Sequence, residues 1–181
     1  QSKLTAQTVT LHWVVGIMML GLLVSGIYMA ESEVFALYPW HKSFGVLVIL
    51  FAIARVGWRI KNGWPAHVGE YTPIEKMLSK VVHYLLLIGT ILMPLSGVVM
   101  SAMGGYGVSL FGLELVAMNL DPANPQEVIP INGTLAWLGH SVHAYAGYAV
   151  IAGVLLHVAG AVKHHVIDKD GTLRRMLGAQ L

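Results

Sequence analysis

Apolar positions along the chain fall into four long runs, separated by two short polar stretches and one long one. The runs cover Thr8 to Ala30, Pro39 to Ile60, Leu78 to Met103 and Leu135 to Val166. No ten-residue segments of alternating apolar and polar residues recur, so membrane strands are not predicted. A helix rises about 1.5 Å per residue and needs about 20 apolar residues to cross about 30 Å of hydrocarbon. The first three runs have that length. The fourth exceeds it and is expected to tilt or to project beyond the bilayer. The pattern predicts an all-α, integral membrane four-helix bundle running up-down-up-down, with Pro94 kinking the third helix. The first run is read as a span rather than a cleaved leader, because it is too long for a leader's apolar region and contains His12.

Composition sharpens this picture. Of 181 residues, 56% are hydrophobic and only 11% are charged, against about 25% charged in a soluble domain. One transmembrane domain over residues 1–181 is expected. There is no cysteine, which excludes disulfides, iron–sulfur clusters, thiolate metal sites and haem attached through C-x-x-C-H. Any haem must be held non-covalently.

The charges are unevenly placed. Lys3, Arg55, Arg59, Lys61, Lys76, Lys80, Lys163, Lys169, Arg174 and Arg175 fall on one side of the predicted membrane, and Lys42 alone on the other. The positive-inside rule then puts both termini in the cytoplasm. Topology accounts for most of these residues; some are also candidates to neutralise haem propionates. The outer loops carry Glu31, Glu33, Glu114, Asp121 and Glu127. The second outer loop, Gly104 to Thr134, contains Gly104-Gly105, Pro122, Pro125 and Pro130. It is read as plain loop, with a docking surface as the alternative. Nothing in the pattern points to a nucleic-acid partner.

The histidines carry the chemistry. His143 and His157 are fourteen residues apart in the fourth run. At about 1.5 Å and 100° per residue, they lie roughly 21 Å apart along the axis and within about 40° of one face. His12 opens the first run and His41 the second. The alternating topology sets His41 with His143 at the outer level, and His12 with His157 at the inner level. Ionisable residues inside membranes are costly and usually functional. Two pairs on facing helices therefore predict two stacked bis-histidine haems, with iron bound through His12, His41, His143 and His157. Any one of these histidines alone reads equally well as an interfacial residue. Small residues near the fourth-run histidines, including Gly147, Gly153 and Gly160, agree with a flat macrocycle, but also with ordinary helix packing.

The other histidines are weaker candidates. His83 could bond a propionate, line a quinone site or replace an inner ligand. His140 with His143 makes a three-residue spacing usable by a metal, but no third ligand lies near in sequence. His164 and His165 read as interfacial, and His67 as solvated. The nine methionines read as packing.

On these residues the chain resembles the bacterial cytochrome b561 family of four-helix dihaem cytochromes. The likeness rests on T-L-H-W around His12, W-H-K-S-x-G from Trp40 to Gly45, H-Y-L-L-L from His83, the His143–His157 spacing and the tail from Lys163 to Gly178. It covers nearly the whole chain except the long outer loop. The resemblance implies two haem b groups with the same ligand pairs, electron transfer across the bacterial inner membrane and exchange with ubiquinone. His83, Lys42, Arg55 and Arg59 become candidate propionate or quinone contacts. The tail is closest to a branch associated with a periplasmic isoprenoid-binding protein, so such a protein or a periplasmic redox protein is an expected partner. One family member oxidises superoxide, passing electrons to ubiquinone. Five outer acids against one lysine work against steering an anion there, although Lys42 adjoins His41. The leading expectation is a quinone-linked electron carrier. The alternatives are a superoxide oxidase and a haem-bearing anchor subunit of a larger dehydrogenase.

Overall fold

Helix boundaries are set by local chemistry at each end. A computed structural model describes residues 3–181. Helix α1 (Ala6–Ser32) starts where the Thr5 hydroxyl accepts from the Thr8 amide, and stops at Glu33, which is left-handed at φ 52°. After one 3₁₀ turn (Phe35–Leu37), α2 (Tyr38–Asn62) opens with Pro39 in its first turn and ends at Gly63. Helix α3 (Pro73–Met103) begins five residues before its apolar run. There Thr72 and Glu75 form a capping box, which ties up two amides that the helix leaves unpaired. It continues as one helix through the buried Pro94. Helix α4 (Gly133–Val166) is capped by Asn132, and a short α5 (Thr172–Met176) follows.

Four helices are long and apolar enough to cross a membrane. Their outward faces are apolar: Ile17, Val24, Ile88 and Leu155 are each more than half exposed. A bundle apolar on the outside as well as the inside is solvated by lipid. Helix α1 packs on α2, α2 on α3, and α3 most extensively on α4. The α3–α4 seam closes over small residues. A Cβ on Gly139 would stand 2.7 Å from the Met100 nitrogen, one on Gly153 2.9 Å from Leu85, and one on Gly89 would run into Val150.

The start of α1 and the C-terminal tail lie at one end of the bundle, where the Trp13 indole donates to the Met176 carbonyl at 2.7 Å. The opposite end carries a feature the sequence reading did not anticipate. Within the loop read as irregular, β1 (Val108–Leu110) and β2 (Leu113–Val116) form an antiparallel hairpin. Ser43 of α2 pins it, accepting from the Phe111 amide at 2.9 Å and donating to the Ser109 carbonyl at 3.3 Å. The ring of Phe111 meets Phe44 edge-on at 5.2 Å. These two ends are called the termini end and the hairpin end below.

The core sits at mid-depth. Val15, Met19 and Leu23 of α1, Val48 of α2 and Val150 of α4 form one buried cluster, with Leu86 and Met93 of α3 against it. Val15, Val48 and Val150 are essentially inaccessible.

Candidate functional site: two histidine pairs at two depths

Histidines from facing helices meet above and below this plug. At the termini end the His12 and His157 rings are 6.0 Å apart between centroids, at 51°. At the hairpin end the His41 and His143 rings are 6.4 Å apart, at 84°. A ring nitrogen binds a metal ion at about 2 Å, and the ring centre lies about 1 Å further back. Two imidazoles in line across one ion therefore stand about 6 Å apart. Both pairs have that separation.

The hydrogen bonds at the hairpin end suit the same role. The Nδ1 of His143 lies 2.7 Å from the Met93 carbonyl, which can only accept, so Nδ1 carries the proton and Nε2 is left with a free lone pair. The Ser25 hydroxyl donates to the Leu22 carbonyl, so it accepts from His41 Nδ1 at 3.0 Å, with the same result. Metal-binding histidines are held in just this way by a partner on the second nitrogen. At the termini end, Nδ1 of His12 is buried with no partner among the described residues. Native structures rarely leave such an atom unpaired, which marks this ring as one that a group bound there could still engage. The residues therefore fit bis-histidine haem at both levels.

The fourteen-residue interval seen in α4 recurs in every long helix: His12 and Gly26, His41 and Arg55, His83 and Gly97, His143 and His157. At the hairpin level the two glycines back the rings. A Cβ on Gly97 would stand 3.0 Å from the His143 ring, and one on Gly26 3.4 Å from His41. At the termini level the corresponding positions are His83 and Arg55. His83 lies 5.4 Å from His157, stacks on Trp64 at 5.6 Å, and has Ser79 at 3.3 Å from its Nδ1. Arg55 donates to Thr90 Oγ1 at 2.8 Å. Gly26, Gly97 and Thr90 were not among the residues singled out from sequence. The repeated spacing was the signal that would have found the two glycines, whereas Thr90 is marked only by its bond to Arg55.

Other expectations fare differently. Gly147 and Gly153 face Met93 and Leu85 of α3, so helix packing uses them, and Gly160 faces open space. His140 is exposed and its Nδ1 lies 3.3 Å from Met100 Sδ. Lys42 lies over the Tyr106 ring at 5.7 Å. Arg59 bonds Thr8 and the Gly63 carbonyl and lies over Trp64, lining a shallow cleft with Trp58 and Lys3. His67 is exposed, with its ring against Tyr71.

At the end of α4 the tail is tied back by charge. Lys163 bridges Glu75 at 2.5 Å and Asp168 at 2.9 Å, while His164 reaches Asp168 at 2.8 Å. Tyr71 donates to Asp170 at 2.6 Å. His164, Asp168 and Asp170 are close enough to share a cation, but their oxygens are already engaged. The bond from Lys163 holds the Asp168 carboxyl below its ordinary value. A depressed carboxyl stabilises the fold above its unfolded pKa, and that contribution is lost as pH falls through the lower folded value. Amide exchange over residues 167–176, corrected for intrinsic rate, should therefore accelerate in acid below the usual aspartate range. Asp168→Asn should reproduce the acceleration at pH 7, and unchanged exchange in that variant would discount the tie.

A lipid-solvated four-helix bundle with paired core histidines at two depths defines a membrane cytochrome of the b type. The chain belongs to the prokaryotic cytochrome b561 family, whose model it matches over residues 3–179. It is 29% identical over 174 residues to cytochrome b561 homolog 2 of Escherichia coli strain K12, covering 92% of this chain and 87% of that one. It is 25% identical to the probable superoxide oxidase CybB of Yersinia pestis, with 97% and 96% covered. It is 24% identical to cytochrome b561 homolog 1 of Escherichia coli strain K12, with 97% of each covered. The protein is thus a bacterial multi-pass membrane protein of a haem-binding, electron-transferring family.

Proposed function

We propose that His12 with His157 and His41 with His143 each hold one b-type haem, and that residues 1–181 form a single dihaem domain in the inner membrane. The termini face the cytoplasm and the hairpin the periplasm. The protein moves single electrons between these faces and exchanges them with ubiquinone. The observation that carries this reading is the pair of imidazole couples, each at the separation one iron requires, at two membrane depths. When bound, haem supplies reversible one-electron chemistry. The chain's own contribution would be to hold the four imidazole nitrogens in place, keep water away and set local charge. Ser25 and Met93 orient the hairpin-end rings, and Gly26 and Gly97 allow close approach. Arg55, Arg59, His83 and Lys42 are the residues available to propionates or quinone.

A second reading is superoxide oxidation at the hairpin end. It is favoured by the name of the Yersinia relative and by Lys42 beside His41. Rapid mixing of the purified, haem-loaded protein with ubiquinol, or with a pulse of superoxide, separates the two. Fast haem reduction by ubiquinol with slow reaction toward superoxide supports the quinone-linked carrier. Fast reduction by superoxide with electrons delivered to added quinone supports the second reading, and reduction by neither would sink both.

A further inference from the structure

The two levels differ in charge. On α2, His41 and Arg55 stand fourteen residues apart, as His143 and His157 do on α4. Helix α2 thus supplies an imidazole at the hairpin level and a guanidinium on nearly the same face toward the termini level. That guanidinium has one hydrogen-bond partner, the hydroxyl of the buried Thr90, which itself donates to the Leu87 carbonyl. Its Nε is buried and unpartnered. Among the described residues Arg55 makes no ion pair. At the hairpin level the equivalent positions on α1 and α3 are Gly26 and Gly97, and the nearest cation in sequence, Lys42, lies over Tyr106.

We propose that Arg55 makes the termini-level haem site the more oxidising of the two, so that an electron on the hairpin-level site runs downhill toward the termini end. The inference rests on the reading that the two histidine pairs hold haem. Oxidising a bis-histidine iron adds one positive charge. A cation that no carboxylate side chain of the protein neutralises, held nearby in a low-dielectric interior, opposes that charge and favours the reduced state. The transfer is a one-electron exchange: one iron is oxidised as the other is reduced, and no bond or proton changes. Arg55 acts on the site through its field, as a positioning residue for charge.

The test is an equilibrium redox titration of the haem absorbance in detergent. His41→Ala should leave the termini-level haem alone, and His12→Ala the hairpin-level one, so each midpoint is read separately. The termini-level midpoint should be the higher. In the otherwise intact protein, Arg55→Met should lower that midpoint. At a fixed ambient potential the oxidised-to-reduced ratio at that site should rise about tenfold, equivalent to about 59 mV for one electron. Arg55→Lys, which keeps the charge, should restore most of the difference. An unshifted midpoint in Arg55→Met with both haems bound would overturn the proposal. So would an equal or reversed order in the single-histidine variants, which needs no change at Arg55. If instead His12→Ala or His41→Ala kept two low-spin haems, the ligand reading beneath the proposal would fail.

Discussion

On the proposed ligand assignment, replacing His143 by alanine should remove the hairpin-end haem and leave the other in place. The variant loses an axial nitrogen and the bond from Nδ1 to the Met93 carbonyl. His41, 6.4 Å away, cannot hold a six-coordinate iron alone. His41→Ala should give the same half-loss, whereas His12→Ala or His157→Ala should remove the other haem. The change is large because one ligand decides occupancy, and a haem assay per mole of protein reads it as a fall from two to about one. His140→Ala is the control, since that ring is exposed and lies on Met100. Low-spin spectra should show one species lost in each ligand variant and none in the control. Retention of two low-spin haems in every ligand variant would remove the assignment.

Gly139→Leu should destabilise the bundle by about 3 kcal/mol, at the upper end of what overpacking a tight interior costs. The first side-chain atom already meets backbone: Met100 N at 2.7 Å, and Ser96 O at 3.0 Å. A flexible side chain could swing aside, but two helix backbones cannot, so α3 and α4 must separate. His143 lies one turn further along α4 and donates its hydrogen bond to α3, so separation also loosens the hairpin-end pair. Gly160→Leu is the matched comparison, because nothing lies within 4 Å of its Cβ position. Denaturant unfolding and haem content together check this. Equal stability of the two variants would mean that the seam yields, contrary to the close packing described.

Much of this architecture was legible in the sequence because membrane helices must satisfy their own backbone and advertise their length in apolar residues. The four runs follow from that rule, and the four histidines stood out because ionisable residues are rare in such spans. What was not legible depended on contacts between distant segments. The hairpin at residues 108–116 is held by Ser43, more than 60 residues earlier, and its strands are too short for a periodic signal. The glycines of α4 were legible as small but not as facing α3, since sequence alone does not say which neighbour a helix face meets. Pro73 and the Thr72–Glu75 box place the start of α3 ahead of its apolar run. The cue lay in those polar residues and not in hydropathy.

The mid-depth plug of Val15, Val48 and Val150 has an electrical consequence. Apolar packing disfavours water and ions between the two histidine levels, and leaves electron transfer as the favoured route of charge. The levels are roughly 21 Å apart in about 30 Å of hydrocarbon. A transferred electron therefore traverses about seven-tenths of the membrane field, worth roughly 1.6 kcal/mol per 100 mV. In the proposed orientation, with the termini in the cytoplasm, movement from hairpin to termini would run against an inside-negative potential. An energised membrane would then slow or reverse the flow, coupling this small cytochrome to the energy state of the cell.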